Sequence, residues 1–343
     1  MLTPLLFDHP LTRFLAGLLS AGLMALVALR FLGPRGWMDL PDGRKQHGRP
    51  TPRTGGVALW AAVVLGQAVG WLRLPVSGSE WICLHGLALM GALDDRHSLS
   101  ARVKALVGLG LAFTLAIPVA QSFAMDRPVA MLMRIAIPTD PPLLTLPLLV
   151  LWFWALPQAF NLIDGLDGLA TGLALLIATF LMGGRNFAGT PFLMGALAAI
   201  FLLNWPRAQH FLGDCGAYFL GGLLGLLALR TRAFEYPSLA LWVFAYPILD
   251  MALVITIRFL RGHPLGGGDR SHLHHQLVAI LGVRWTVPLL WLQATALAVG
   301  PTGFPGSYWI CWPALGLMVA QCAYFVRRSM HADRPSLAPE QTP

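Results

Sequence analysis

Leu143-Leu-Thr-Leu-Pro-Leu-Leu-Val-Leu-Trp-Phe-Trp-Ala-Leu-Pro-Gln-Ala-Phe160 carries no charged residue, and it runs straight into Asn161-Leu-Ile-Asp164-Gly-Leu-Asp167-Gly-Leu-Ala-Thr-Gly172. The first part approaches the ~20 mostly apolar residues that a helix needs to cross a bilayer. The second part is its opposite, with two acids, an amide and three glycines in a short span. Apolar runs that stop at a small acidic or basic patch recur along the whole chain. That alternation decides the fold.

Of the 343 residues, 56% are hydrophobic and only 12% charged, against about 25% charged in a soluble domain. Mean hydropathy is +0.64. Such a composition excludes a disordered chain and an ordinary soluble enzyme. The four cysteines (Cys83, Cys215, Cys311 and Cys322) form no CxxC pair, which excludes a disulfide scaffold. The sequence predicts an all-α integral membrane protein, a polytopic bundle of about eleven transmembrane helices. The candidate spans are 11–32, 55–74, 81–94, 102–120, 143–160, 166–183, 191–205, 214–230, 239–260, 285–300 and 307–326. Backbone groups cannot stay unpaired in lipid, so these runs must be helical. They lack the alternation of a β-barrel. No Lys or Arg precedes Arg13 and the first run is long, so it does not read as a cleavable signal.

The formal charge of +8 and pI near 9.9 indicate basic loops on one membrane face, with no nucleic-acid partner. With the N-terminus outside, 17 of the 24 Lys and Arg fall on the inner side. The N-terminus is therefore expected to be periplasmic and the C-terminus cytoplasmic. Residues 1–328 read as a single multi-span domain and 329–343 as a disordered cytoplasmic tail. In the longest outer loop, 121–142, the alternation from Pro128 to Ile137 predicts a small hairpin.

Six of the 16 acids lie inside or at the edge of apolar runs: Asp94, Asp95, Asp164, Asp167, Asp214 and Asp250. Ionisable groups there are costly, so a functional reading comes first. In the predicted topology most of the polar patches meet the same cytoplasmic surface. The basic loop 33–54, with Asp39-Leu-Pro-Asp-Gly-Arg-Lys45-Gln-His47, is rich in turns and could hold a phosphate. Asp94-Asp95 suits Mg²⁺ or a general base; its bland reading is a solvated helix end paired with Arg96, Arg102 or Lys104. Asn161, Asp164 and Asp167, spaced by three, are expected along one helix face as an oxygen-rich site. Asp214 between glycines is a metal position or a helix N-cap. His272, His274 and His275 could bind zinc or donate hydrogen bonds to a diphosphate. Asp250, mid-span after Pro247, could pair with Arg258 across the inner end of its helix or line the cavity, and it reads as structural. Together, acids for Mg²⁺ and basic groups for phosphates favour phosphoryl chemistry on a cytosolic nucleotide.

The ordered set Asp39-x-Pro-x-x-Arg-Lys-x-His47, Arg49-Pro-Thr-Pro-Arg-x-Gly-Gly56, Gly91-x-x-Asp-Asp95, Asn161-x-x-Asp-Gly-x-Asp-Gly168, Gly213-Asp214-x-Gly216 and Asp269-Arg-x-His-x-His-His275 resembles the bacterial polyprenyl-phosphate N-acetylhexosamine-1-phosphate transferases of glycosyltransferase family 4. The eleven-span layout agrees. The resemblance implies transfer of sugar 1-phosphate from a UDP-N-acetylhexosamine to undecaprenyl phosphate, with UMP as the second product, at the bacterial inner membrane with the site facing the cytoplasm. It implies Asp94 and Asp95 as catalytic residues, and Asp214 and Asn161 at a Mg²⁺ ion for which Mn²⁺ is the alternative. Lys45, Lys104, Asp164, Asp167, Arg270, His272, His274 and His275 are implied to bind substrate. The lipid bilayer is an expected partner, as is a second copy in a homodimer. GlcNAc is the default sugar, with QuiNAc or FucNAc as alternatives. Gly108 and Ala217 depart from the family pattern, where Gln and Ser are expected. The rivals are a phospho-N-acetylmuramoyl-pentapeptide transferase, whose basic-loop and His patterns differ, a proton-coupled transporter, which predicts mid-membrane acids and inverted repeats, and a non-catalytic lipid-binding scaffold.

Overall fold

The computed structural model describes residues 9–40, 49–126, 142–182, 189–230, 240–264, 271–299 and 308–332. Helix α1 spans Pro10–Leu32 and is followed by a hairpin of two short strands, β1 Met38–Asp39 and β2 Thr51–Pro52. The helices α2 Gly55–Ala68, α3 Gly78–His97, α4 Ala101–Asp126, α5 Pro142–Ile163, α6 Leu169–Met182, α7 Thr190–Asn204 and α8 Gly213–Arg230 come next. The chain closes with α9 Ala240–Val243, α10 Ala245–Leu260, α11 Leu273–Leu281, α12 Val283–Val299 and α13 Tyr308–Ala332.

Each of the eleven apolar runs coincides with helix. The run expected over 239–260 is broken at Phe244 into α9 and α10, and the second helix ends at Ala68 rather than 74. Four stretches are long and apolar enough to cross a membrane on composition alone: Pro10–Arg35, Ala101–Ser122, Thr145–Ile163 and Trp309–Met330. The chain thus has the helical architecture and apolar surface of a membrane protein. Exposed Leu19, Leu26, Leu106, Phe259 and Trp309 are side chains that water would penalise and lipid would not. The last helix runs on to Ala332, four residues into the expected tail. The hairpin expected over Pro128–Ile137 lies outside the described residues, as do Lys45 and Arg270.

Helix α8 is the axle of the bundle. From Cys215 to Ala228 it is buried throughout, and α2, α3, α5 and α6 pack around it. Its glycines make this close packing feasible. A Cβ on Gly221 would sit 2.6 Å from the Pro157 backbone of α5. One on Gly56 of α2 would lie 2.1 Å from the Gly216 nitrogen. Small residues let backbones approach where lipid supplies no hydrophobic drive between helices. The same logic joins α1 to α7: Gly17, Ala21, Ala25 and Ala28 form the buried stripe of α1, and Gly195 of α7 faces the Phe14 carbonyl.

Helix α3 fixes the polarity of the bundle. Its start carries Glu80, fully buried, capping Ser77 (Ser77 N to Glu80 Oε2, 2.7 Å) and paired with Arg230 from the end of α8 (Nε to Oε1, 3.0 Å). Its other end carries Asp94 and Asp95, which meet the start of α8. Charged groups are therefore gathered at both ends of the antiparallel α3–α8 pair and kept off its middle.

Gly17 tests this packing. A Cβ there would lie 2.0 Å from the Phe192 carbonyl oxygen, whereas one on Gly22 would meet nothing within 4 Å. Gly17→Ala is expected to destabilise the protein by about 1–3 kcal/mol through overpacking. Gly22→Ala is expected to be neutral or stabilising by up to about 1 kcal/mol. Thermal unfolding in detergent measures both; equal shifts would contradict the α1–α7 contact.

Candidate functional site

The first amides of a helix have no partner within the helix, and in a low-dielectric surround that deficit is severe. Helix α8 resolves it with carboxylates from two other segments. Asp95, from the end of α3, accepts hydrogen bonds from Asp214 N and Cys215 N, both at 3.0 Å. Asp164, from the turn after α5, accepts one from Gly213 N at 3.1 Å. Gly213 has φ +69°, and a Cβ there would stand 2.7 Å from the Asp95 carboxylate. The helix N-terminus thus places Asp95, Asp164 and Asp214 around one point. Gly91, one turn before Asp95, lets α3 approach: a Cβ on it would meet the Asp214 carbonyl at 2.3 Å.

Asp94 points to the same cluster. Its Oδ1 accepts from Leu99 N at 2.5 Å, and its Oδ2 accepts from Lys104 Nζ at 2.7 Å. Lys104 Nζ also lies 3.4 Å from Asp214 Oδ2. One ammonium is shared by two acids, while Asp95 and Asp164 rely on backbone amides. Asp94 and Asp95 are each only 8% exposed. The bland reading of Asp94 thus has the right partner in Lys104, but not a solvated setting. Arg96 turns away and donates to the Arg35 carbonyl.

Asn161, Asp164 and Asp167 do not lie on one helix face. Helix α5 ends at Ile163, and Asp164 to Gly168 form a turn before α6. Gly168 at φ +78° breaks the helix, and a Cβ there would strike Trp205 at 2.6 Å. Asp167 Oδ2 accepts from Ala208 N at 3.0 Å, so it anchors the loop before α8. The Asn161 carbonyl accepts from Asp164 N at 3.4 Å and closes the turn.

Two residues that the sequence reading passed over, Asn204 and His210, tie these pieces together. Asn204 Oδ1 accepts from Gly168 N at 2.8 Å and from Thr171 Oγ1 at 3.0 Å, while its Nδ2 donates to the His210 carbonyl at 2.9 Å. His210 Nδ1 is 2.8 Å from Thr54 Oγ1. Burial lowers the affinity of His210 for a proton, which keeps the ring neutral at physiological pH. Phe211 N donates to the Pro52 carbonyl, and Gly55 N and Gly56 N donate to the carbonyls of Phe211 and Leu212, all within 2.9 Å. The end of the basic loop is thereby laid along the segment that leads into Asp214. Arg53 Nη2 pairs with Asp39 Oδ1 at 2.5 Å. The only sequence signal for His210 was its place in the polar break between the seventh and eighth apolar runs, and for Asn204 its place as an amide near the end of the seventh.

Two of the three histidines, His274 and His275 in the first turn of α11, reach the turn that carries Asp164. A Cβ on Gly165 would lie 2.8 Å from His274 Nε2 and 3.4 Å from His275 Nε2. The Asp250 expectation needs correction: its Oδ2 accepts from His272 Nδ1 at 2.8 Å, and Arg258 Nη1 donates to the Pro264 carbonyl.

Among the described residues, four carboxylates and one Lys at a single point leave an excess of negative charge. Burial, followed by the neighbouring Asp214 and Asp95 carboxylates, holds the Asp164 carboxyl well above the usual carboxylate range. The donors are all oxygens, which suits a hard divalent cation better than zinc.

Comparison with known proteins follows the same residues. The family model described as Glycosyl transferase family 4 matches residues 79–232. A Bacillus subtilis (strain 168) protein, named probable undecaprenyl-phosphate N-acetylglucosaminyl 1-phosphate transferase, is 30% identical over 304 residues, covering 81% of this chain and 80% of its own. Undecaprenyl-phosphate alpha-N-acetylglucosaminyl 1-phosphate transferases are similar at 28% identity in Yersinia pestis, over 87% of this chain and 86% of that one. In Escherichia coli K12 the identity is 26%, over 77% and 75%.

The raised proton affinity of Asp164 has a consequence for stability. In the window above the ordinary carboxylate range, the folded state retains a proton that the unfolded chain has released, so stability falls as pH rises. The unfolding midpoint of the cation-free protein is expected to drop across that window. Asp164→Asn should flatten the slope; an unchanged slope would contradict the assignment.

Proposed function

The chain belongs to glycosyl transferase family 4, and from that premise we propose that it transfers N-acetylhexosamine 1-phosphate from a UDP-sugar to undecaprenyl phosphate. The products are undecaprenyl-diphospho-sugar and UMP, the first lipid-linked step of a surface glycan. The observation that carries this reading is the convergence of Asp94, Asp95, Asp164, Asp214 and Lys104 on the first turn of α8. Their gathering at one end of the α3–α8 pair supports a site at one membrane face. The count of basic residues supports a cytoplasmic face, eleven crossings of the inner membrane, an outer N-terminus and an inner C-terminus.

An oxygen of the lipid phosphate attacks the β-phosphorus of the UDP-sugar. The new P–O bond forms as the bond to the α-phosphate oxygen breaks, and UMP leaves. Asp214 and Asp164 are the residues suited to hold a divalent cation. Bound Mg²⁺, or Mn²⁺ in its place, would neutralise charge on the diphosphate. Lys104, fixed by Asp94, presents a cation where the lipid phosphate meets the acids. Asp95 has each oxygen on an α8 amide, so its first role is to position Asp214. The attacking phosphate is already anionic near neutral pH and needs little help from a base. Positioning and electrostatics therefore carry most of the rate.

The direct test is UMP release by the purified protein from UDP-N-acetylglucosamine, with undecaprenyl phosphate and Mg²⁺. Release that depends on the lipid is expected. Transport in proteoliposomes without any UMP would instead favour a transporter. Removal of Mg²⁺ with EDTA is expected to cost more activity than Asp95→Asn, for which about 10–100-fold is anticipated because Asp95 acts through a neighbour. An equal or larger loss from Asp95→Asn would reverse that ranking.

A further inference from the structure

We propose that Asp250 is a positioning residue that locks the histidine pair His272 and His274 against the Asp164–Gly165 turn, a role that rests on the transfer reading above. Asp250 lies on α10 and is 0% exposed. Its two oxygens are both used. Oδ2 accepts from His272 Nδ1 at 2.8 Å, and Oδ1 accepts from Leu273 N at 2.6 Å. Leu273 N opens α11, so Asp250 caps that helix in the way that Asp95 caps α8. His274 Nδ1 stands 3.6 Å from the same Oδ2. The His272 and His274 rings are stacked with centroids 5.1 Å apart.

With Nδ1–H of His272 committed to Asp250, Nε2 is the nitrogen left for a ligand. His274 supplies an independent pointer. Its ring is fully buried, neither nitrogen has a hydrogen-bond partner among the described residues, and Nε2 is directed at the backbone beside Asp164. An unpaired buried nitrogen is costly, and a diphosphate oxygen over the turn would satisfy it. Asp250, His272 and His274 also bring three ligand atoms within 4.8 Å, a spacing that a metal ion could use. The two hydrogen bonds already made by the carboxylate favour the orienting role over a ligand role.

The test compares the wild type with Asp250→Asn, Asp250→Glu, His272→Ala and the double variant Asp250→Asn/His272→Ala. UMP release and calorimetric binding of UDP are both measured on the full-length protein. Asp250→Asn is expected to raise KM for the UDP-sugar about tenfold and leave KM for undecaprenyl phosphate unchanged, and Asp250→Glu should recover part of the loss. The double variant should lose less than the product of the two single losses, because part of the Asp250 effect runs through His272. Multiplicative losses in the double variant, or an equal rise in both KM values, would overturn the proposal. So would a stoichiometric zinc ion that co-purifies with the wild type and is lost from Asp250→Asn. Should Asp250→Asn not fold, Asp250→Glu carries the same expectation of a selective, smaller KM rise. UDP binding separates this inference from the transfer reading: weaker binding by the Asp250 variants supports it even in a protein that releases no UMP, and unchanged binding refutes it.

Discussion

The start of α8 presents backbone amides where neither water nor its own helix can satisfy them. Asp95 and Asp164 do so from two remote segments. Hydrogen bonds to a charged acceptor contribute about 1.5–3 kcal/mol each, and a helix N-terminus adds favourable electrostatics for an anion. That combination offsets the burial of carboxylates that would otherwise be expelled. It also assembles the site, because the amides that need capping belong to Gly213, Asp214 and Cys215. Folding the helix start and gathering the acids are one event.

The cost of this arrangement is charge. Asp94, Asp95, Asp164 and Asp214 crowd a point where, among the described residues, only Lys104 supplies direct cationic contact. A soluble protein could leave such acids to water. Here the helices α2, α3, α5 and α6 enclose them, and glycine contacts such as Gly56 against Gly216 and Gly91 against the Asp214 backbone admit no slack. The pocket is therefore built to attract positive charge, and a substrate with two phosphates would arrive with it. Asp250 repeats the device at α11, where one acid from a neighbouring helix caps the segment bearing the histidines.

Much of this was legible in the sequence, for physical reasons. Apolar runs longer than any soluble core requires marked the helices, and polar residues at their ends were too costly to be incidental. The motif order from Asp39 to His275 pointed to the chemistry. The misreadings are equally instructive. A spacing of three suggested a helix through Asn161, Asp164 and Asp167, but α5 ends at Ile163 and the chain turns through Gly165 and Gly168, where the His274 ring and Trp205 fill the space that side chains would occupy. Asp250 looked structural because its partners, His272 and Leu273, lie beyond a loop whose path a sequence does not reveal. Asn204 and His210 belonged to no motif; only the fold brings them against Gly168 and Thr54.

The central claim is that Asp95 holds the start of α8 so that Asp214 and Asp164 share a cation with the bound diphosphate. Anomalous scattering from Mn²⁺ in a complex with UDP-N-acetylglucosamine tests it most directly. The account predicts one peak bound to Asp214, with Asp95 still accepting from the amides of Asp214 and Cys215. A peak held by Asp250, His272 and His274 with none at Asp214, or an Asp95 side chain swung off the helix to ligate the ion alone, would contradict it.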